Sequence, residues 1–119
     1  MANPNILSTT TVQAYSEGLA VTTSSQAIVT NAASSGKVYK VNSLIIANVD
    51  GSNAADVTVE VFKGSTSYKL AKTVPVPADA TLVVVSRDNQ VYLNENDNIK
   101  LTASANSDLE AICSWEQIS

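Results

Sequence analysis

Between Asp56 and Lys63 apolar and polar residues alternate without a fault: Val57, Val59 and Val61 on one side, Thr58 and Glu60 on the other. A two-residue period is that of a β-strand with one buried face. Asn98–Ala105 repeats it with Ile99, Leu101 and Ala103 inward. Leu109–Gln117 does the same, setting Leu109, Ala111, Cys113 and Trp115 against Glu110, Ser114 and Glu116. Lys37–Val49 breaks the rule. Tyr39, Val41, Ile45, Ala47 and Val49 occupy odd positions, and Val38, Leu44 and Ile46 even ones. A strand apolar on both sides is expected at the centre of a sheet, covered by a second sheet or a neighbouring subunit. The unbroken run of Thr81–Ser86 (TLVVVS) predicts another fully buried strand.

Shorter strands are predicted at Gly18–Thr23, Gln26–Asn31, Ser67–Lys72 and Gln90–Leu93, with turn residues between them. Asp50-Gly51-Ser52-Asn53 is a strong turn signal, and the strands it separates are expected to form a hairpin with a long connection. Val74-Pro75-Val76-Pro77 lacks two ladder donors and reads as a crossing segment or an edge. Eight or nine strands at this spacing, with no helical pattern, predict an all-β fold: a single antiparallel β-sandwich, jelly-roll-like or Ig-like. The expected core is Val38, Leu44, Ile46, Val57, Val59, Val61, Leu82, Val84, Ile99, Leu101, Leu109, Ala111, Cys113 and Trp115. Residues 1–16 have no sustained period and read as an extended N-terminal arm ahead of a domain spanning 17–119, with a disordered tail as the plainer alternative. Ile6, Leu7 and Val12 are the arm's aliphatic anchors.

Composition supports the strands. There are 15 Val and 7 Ile against 8 Leu, and β-branched residues suit a pleated surface. The net charge is −4, and the seven Lys and Arg never form a run, so a nucleic-acid-binding face is not expected. No apolar run is long enough to span a bilayer, and the N-terminus lacks the charged and apolar parts of a signal peptide. The expectation is a protein made in a reducing cytosol, without a membrane partner.

Catalytic chemistry is poorly supplied. The sequence has no histidine, its glycines are isolated, and its single cysteine, Cys113, falls on an apolar strand face without an activating base. No cofactor is expected. Asp50, Asn53 and Asp56 in one loop, and Glu95 and Asp97 in another, have the chemistry to attract a hard cation, but turn formation accounts for them. Trp115 and the tyrosines have the chemistry of a sugar platform, yet Trp115 lies on the expected core face.

The blocks GKVYKVNSLIIANVDGSNAADVTVEV, YKLAKTVPVPADATLVVV and VYLNENDNIKLTASANSDLEAICSWEQIS resemble small structural proteins of tailed phages, most of all virion proteins of marine cyanobacterial phages. The resemblance covers Gly36 to Ser119. It implies a non-enzymatic virion component, a β-sandwich forming symmetric oligomers. The role that fits best is a capsid decoration, or cement, protein on the outer surface of the head. Its expected partners are itself, as a homotrimer, and the major capsid protein. Ile6, Leu7 and Val12 would grip the shell, and Tyr39, Val41 and Ile45 would supply the oligomer interface. The alternatives are a tail, neck, baseplate or fibre accessory protein, or a carbohydrate-binding module for host adsorption.

Overall fold

The structure, a computed structural model, describes residues 4–119. Nine strands follow in order: β1 Val12–Val21, β2 Gln26–Thr30, β3 Val38–Asn48, β4 Ala55–Lys63, β5 Thr66–Val76, β6 Thr81–Val85, β7 Val91–Leu93, β8 Asp97–Ala103 and β9 Leu109–Ile118. They form two antiparallel sheets. The first has the order β1-β9-β3-β6, with β7 also paired to β3; the second has the order β2-β8-β4-β5. β6 and β7 lie end to end along one side of β3, as two halves of one interrupted strand. Counted so, there are eight strands in two four-stranded sheets, and the chain changes sheet at most connections. That is jelly-roll order rather than an Ig-like one.

The hairpin expected around Asp50–Asn53 does not form. β3 lies in the first sheet between β9 and β6, and β4 lies in the second between β8 and β5. The loop crosses between sheets and is fastened there by Asn48, which is buried. Its Nδ2 donates to Asn53 O and Val76 O, both at 2.9 Å, and its Oδ1 accepts from the Asp50 amide at 2.8 Å. A side chain that satisfies three backbone groups at once holds a turn that a strand pair would otherwise have to hold.

β3 also corrects the expectation of a strand buried on both faces throughout. Its register against β9 shifts between Val41 and Ser43. The extra residue, Asn42, is a β-bulge, and it exchanges the two faces of the strand. Before the bulge Tyr39 and Val41 point inward; after it Leu44, Ile46 and Asn48 do. Tyr39 and Val41 are therefore core residues and not an oligomer interface, since Val41 is wholly buried and Tyr39 nearly so. Ile45 and Ala47 are left half-buried on the outer face.

The core otherwise contains the expected residues of β3, β4, β8 and β9, joined by Val21, Ile28, Val29, Val76, Val85 and Leu93. Three expectations change. Val38 is buried beside Ile118 but outside the core cluster. Leu82 and Val84 are only partly buried, and β6 is not a fully buried strand, because it pairs with β3 alone and leaves Val83 58% exposed. Residues 12–16, read as the end of the arm, form the first half of β1, in register with β9 from Val12↔Ile118 onward. The Pro75 segment is, as expected, an edge: it ends β5, paired only with β4.

Candidate assembly surface

Both inner faces of the sandwich are apolar, so what distinguishes the sheets is what they show outside. On the second sheet the outward residues of β4 and β8 are Thr58, Glu60 and Phe62 beside Thr102, Lys100 and Asn98. Glu60 stands between Lys100 and Lys69 in the ladder, and Lys69 Nζ approaches its carboxylate to 3.4 Å. The one large apolar ring there, Phe62, carries Lys100 Nζ 4.8 Å above its centroid. Alternating charges and a capped ring make a face suited to water.

The first sheet differs. Its pairing places Gly18, Ile112, Ile45 and Val83 in one row across β1, β9, β3 and β6. The next row is Ala20, Glu110, Ala47 and Thr81. Ile112 is 45% exposed, and with Val83 it stands proud of small neighbours. Gly18, Ala20, Ile45, Ala47, Glu110 and Ile112 line an open depression of about 450 Å³. Gly18 is not demanded by the fold: a Cβ there would lie 3.8 Å from Ala111 O, an ordinary contact, and the residue is not in a left-handed conformation. Glycine inside a strand weakens it and often marks a close approach by another group.

Beyond the apolar rows the face turns polar. Ser16, Ser114 and Ser43 form a row, and past it Lys40 Nζ lies 4.0 Å from Glu116. The bulge is tied down here. Asn42 Nδ2 donates to Glu116 Oε1 at 3.2 Å, and Gln90 Nε2 donates to Asn42 Oδ1 at 2.7 Å. One outer face thus carries an apolar row, with Glu110 and Thr81 in the row beside it, and a hydrogen-bonded polar region at its other end.

Of the expected interface residues, only Ile45 belongs to this surface. Ile6 and Leu7 lie apart from it, in a turn before β1, where the Leu7 amide donates to Asn5 Oδ1 at 3.0 Å and the Ser8 amide to Asn5 O at 3.0 Å. Leu7 is 93% exposed and Ile6 53%. Thr10 and Thr11 anchor the segment through amide bonds to Ser119 O. Val12 is as exposed as Ile6, but it is a strand residue paired with Ile118 and not part of the turn. Sequence reasoning missed Ile112, Val83 and Gly18. Ile112 interrupts the polar side of an otherwise alternating strand, Glu110-Ile112-Ser114-Glu116, and that interruption was the readable signal.

The other candidates have structural roles. Asp50 Oδ1 accepts the amides of Ser52 and Asn53 at 2.8 and 3.1 Å, and these bonds hold its carboxyl down to about 2. Asp97, buried, binds Lys63 Nζ and accepts the amides of Gly64 at 3.0 Å and Asn94 at 2.8 Å. Glu95 accepts the Gly36 amide at 2.9 Å. Cys113 is buried, and desolvation pushes its thiol up to about 12, so it stays protonated. Trp115 is sandwiched between Tyr15 and Tyr39, each ring centroid 6.2 Å away and near parallel. Only Tyr15 of the three is exposed, so Trp115 and Tyr39 serve packing.

No protein-family model matches the sequence, and no curated protein matches it. Solved structures match in fold. A protein of Bacillus endospore appendages, which form disulfide-linked pili, aligns over 100% of this chain and 96% of its own, with 12% identity and a TM-score of 0.56. A protein of the acid-stable capsid of Helicobacter pylori bacteriophage KHP30 aligns over 94% of this chain and 90% of its own, with 7% identity and a TM-score of 0.56. A pentameric capsid protein from metagenomic phage sequences aligns over 87% and 64%, with 18% identity and a TM-score of 0.42, too low to carry an argument. At these identities the likeness is one of fold: this chain has the β-sandwich architecture found in a pilus protein and in a phage capsid.

Proposed function

We propose that this is a non-enzymatic structural protein of a phage virion, and within the virion a decoration protein that binds between major capsid subunits on the outside of the head. The observation that carries the reading is the one-sided outer surface. An apolar row crosses all four strands of the first sheet, while the second sheet is charged. A lone small domain gains nothing from exposing Ile112, Ile45 and Val83 together, whereas an assembly buries them. The sequence resemblance of residues 36–119 to phage structural proteins supports a virion, and the fold shared with a phage capsid protein agrees with it.

In this reading the chain associates with itself, as a trimer, and with the major capsid protein. The Ile6-Leu7 turn is a second point of contact with the shell. Three such turns on one oligomer would bind together far more tightly than any one of them alone. A disulfide between copies is not available to Cys113, which is buried in the core.

The test uses particles lacking the protein. Added protein should bind them and raise their resistance to heat, because a ligand stabilises only the state it binds better. Removing residues 1–11 should weaken binding while leaving the domain folded. Immunogold label confined to tails would discard the decoration reading, and unchanged binding by the truncated protein would remove the arm from it.

A further inference from the structure

A sandwich of two open sheets has four edges, and here they are unequal. In the second sheet β5 carries Lys69, Lys72 and Pro75, and its register against β4 shifts twice. The opposite edge, β2, has only five residues and a register shift between Ala27 and Val29. Charges, proline, bulges and shortness are the ordinary defences of an edge against pairing with another chain. The first sheet has fewer of them. β1 pairs with β9 over ten residues without a shift, and its sequence, VQAYSEGLAV, has no proline and a single charge, Glu17. β6, TLVVV, is short and its register against β3 shifts between Leu44 and Ile45, but it has neither charge nor proline. Each has a neighbour on one side only, β9 for β1 and β3 for β6.

We propose that β6 of one copy pairs with β1 of the next, so that copies of this chain join head to tail through continuous first sheets. This rests on the self-association in the reading above and specifies its contact. Strand direction selects this partner. The pairs β1/β9, β9/β3 and β3/β6 are all antiparallel, so directions alternate across the sheet and β6 runs opposite to β1. Two copies side by side in the same orientation therefore present an antiparallel pair, related by a rotation alone. A two-fold contact of β1 with β1 would leave every β6 bare, and one of β6 with β6 would leave every β1 bare. The head-to-tail contact satisfies both edges with a single interface, and the rotation between copies decides whether it closes into a ring. It also brings Val83, at one end of the apolar row, beside Gly18 at the start of the next copy's row.

The experiment uses two variants of the full chain. Val83→Lys blocks the β6 edge, and Ser16→Lys with Ala20→Lys blocks the β1 edge; all three side chains are exposed, so the fold is not at stake. Circular dichroism and melting confirm that each variant is folded. By analytical ultracentrifugation the unaltered protein should be an oligomer and each variant alone a monomer. A one-to-one mixture of the variants should form a heterodimer, because each supplies the edge that the other lacks. An unaltered protein that stays monomeric, an oligomer that survives Val83→Lys, or a mixture that stays monomeric overturns the proposal. Particle binding is scored separately: an oligomer with these seams that binds no particle leaves the seam standing and overturns the virion reading.

Discussion

The two outer faces of this sandwich are made from the same kind of strand and solve different problems. On the second sheet Glu60 sits in the ladder between two lysines, and Phe62 is capped by Lys100, so the charge and the ring at the middle of that face have partners within their own chain. On the first sheet Ile112, Ile45 and Val83 have each other and open space. The difference teaches where to look for function in a domain whose buried thiol and loop carboxylates serve its own core and turns. A face that satisfies itself asks nothing of a partner, and a face left apolar does.

The largest effect that sharpens this contrast comes from within β3, where adjacent residues belong to opposite sides. Leu44→Ala, which empties a fully buried site, should cost about 2–5 kcal/mol in urea unfolding, whereas Ile45→Ala on the half-buried outer side should cost much less in the isolated protein. Equal costs would mean that the bulge at Asn42 is misplaced. Trp115→Ala belongs with Leu44, at about 3–5 kcal/mol.

Next in size is Ile112→Lys. Stability should stay within about 0.5 kcal/mol, as for ordinary surface changes. Binding to particles should fall by about tenfold or more, since burying one such side chain contributes about 1.5–3 kcal/mol. The mirror change on the second sheet, Lys69→Ala, breaks a partly exposed ion pair; it should cost at most about 1 kcal/mol and leave particle binding alone. Weakened binding after Lys69→Ala and none after Ile112→Lys would reverse the assignment of the faces.

The smallest effect is in acid. The amides of Ser52 and Asn53, with help from their side chains, hold Asp50 at about 2, below the value of about 3.9 expected in an unfolded chain. Its contribution to stability is therefore present above about pH 4 and is lost as the pH falls towards 2. Asp108 acts in the opposite sense: desolvation and the neighbouring Asp50 raise it, so its contribution is present at low pH and fades as the pH rises through its folded value. Asp50→Asn should flatten the acid limb of a melting-temperature profile, with little change at pH 7 in its slope.

Much of the fold could be read from the sequence, because period-two alternation in β4, β8 and β9 reports burial directly. What could not be read has physical causes. A bulge costs one residue and has no fixed composition, so Asn42 was invisible and Tyr39 and Val41 appeared to face outward. An unbroken apolar run is the same in a buried strand as in an edge strand awaiting a partner, so TLVVV was placed too deep. The loop at Asp50 carries turn chemistry that serves a hairpin and a sheet crossing alike; only the contacts of Asn48 tell them apart. Of the surface proposed for assembly, the sequence alone offers Ile45. Ile112 and Val83 needed the ladder that brings them into one row.

The most direct test of the account is hydroxyl-radical footprinting of the protein free and on intact particles. Ile112, Ile45 and Val83 should become protected on the particle, while Phe62 and the ring of Tyr68 on the second sheet keep the reactivity they have in solution. Protection of Phe62 and Tyr68 with Ile112 and Val83 unchanged would contradict it.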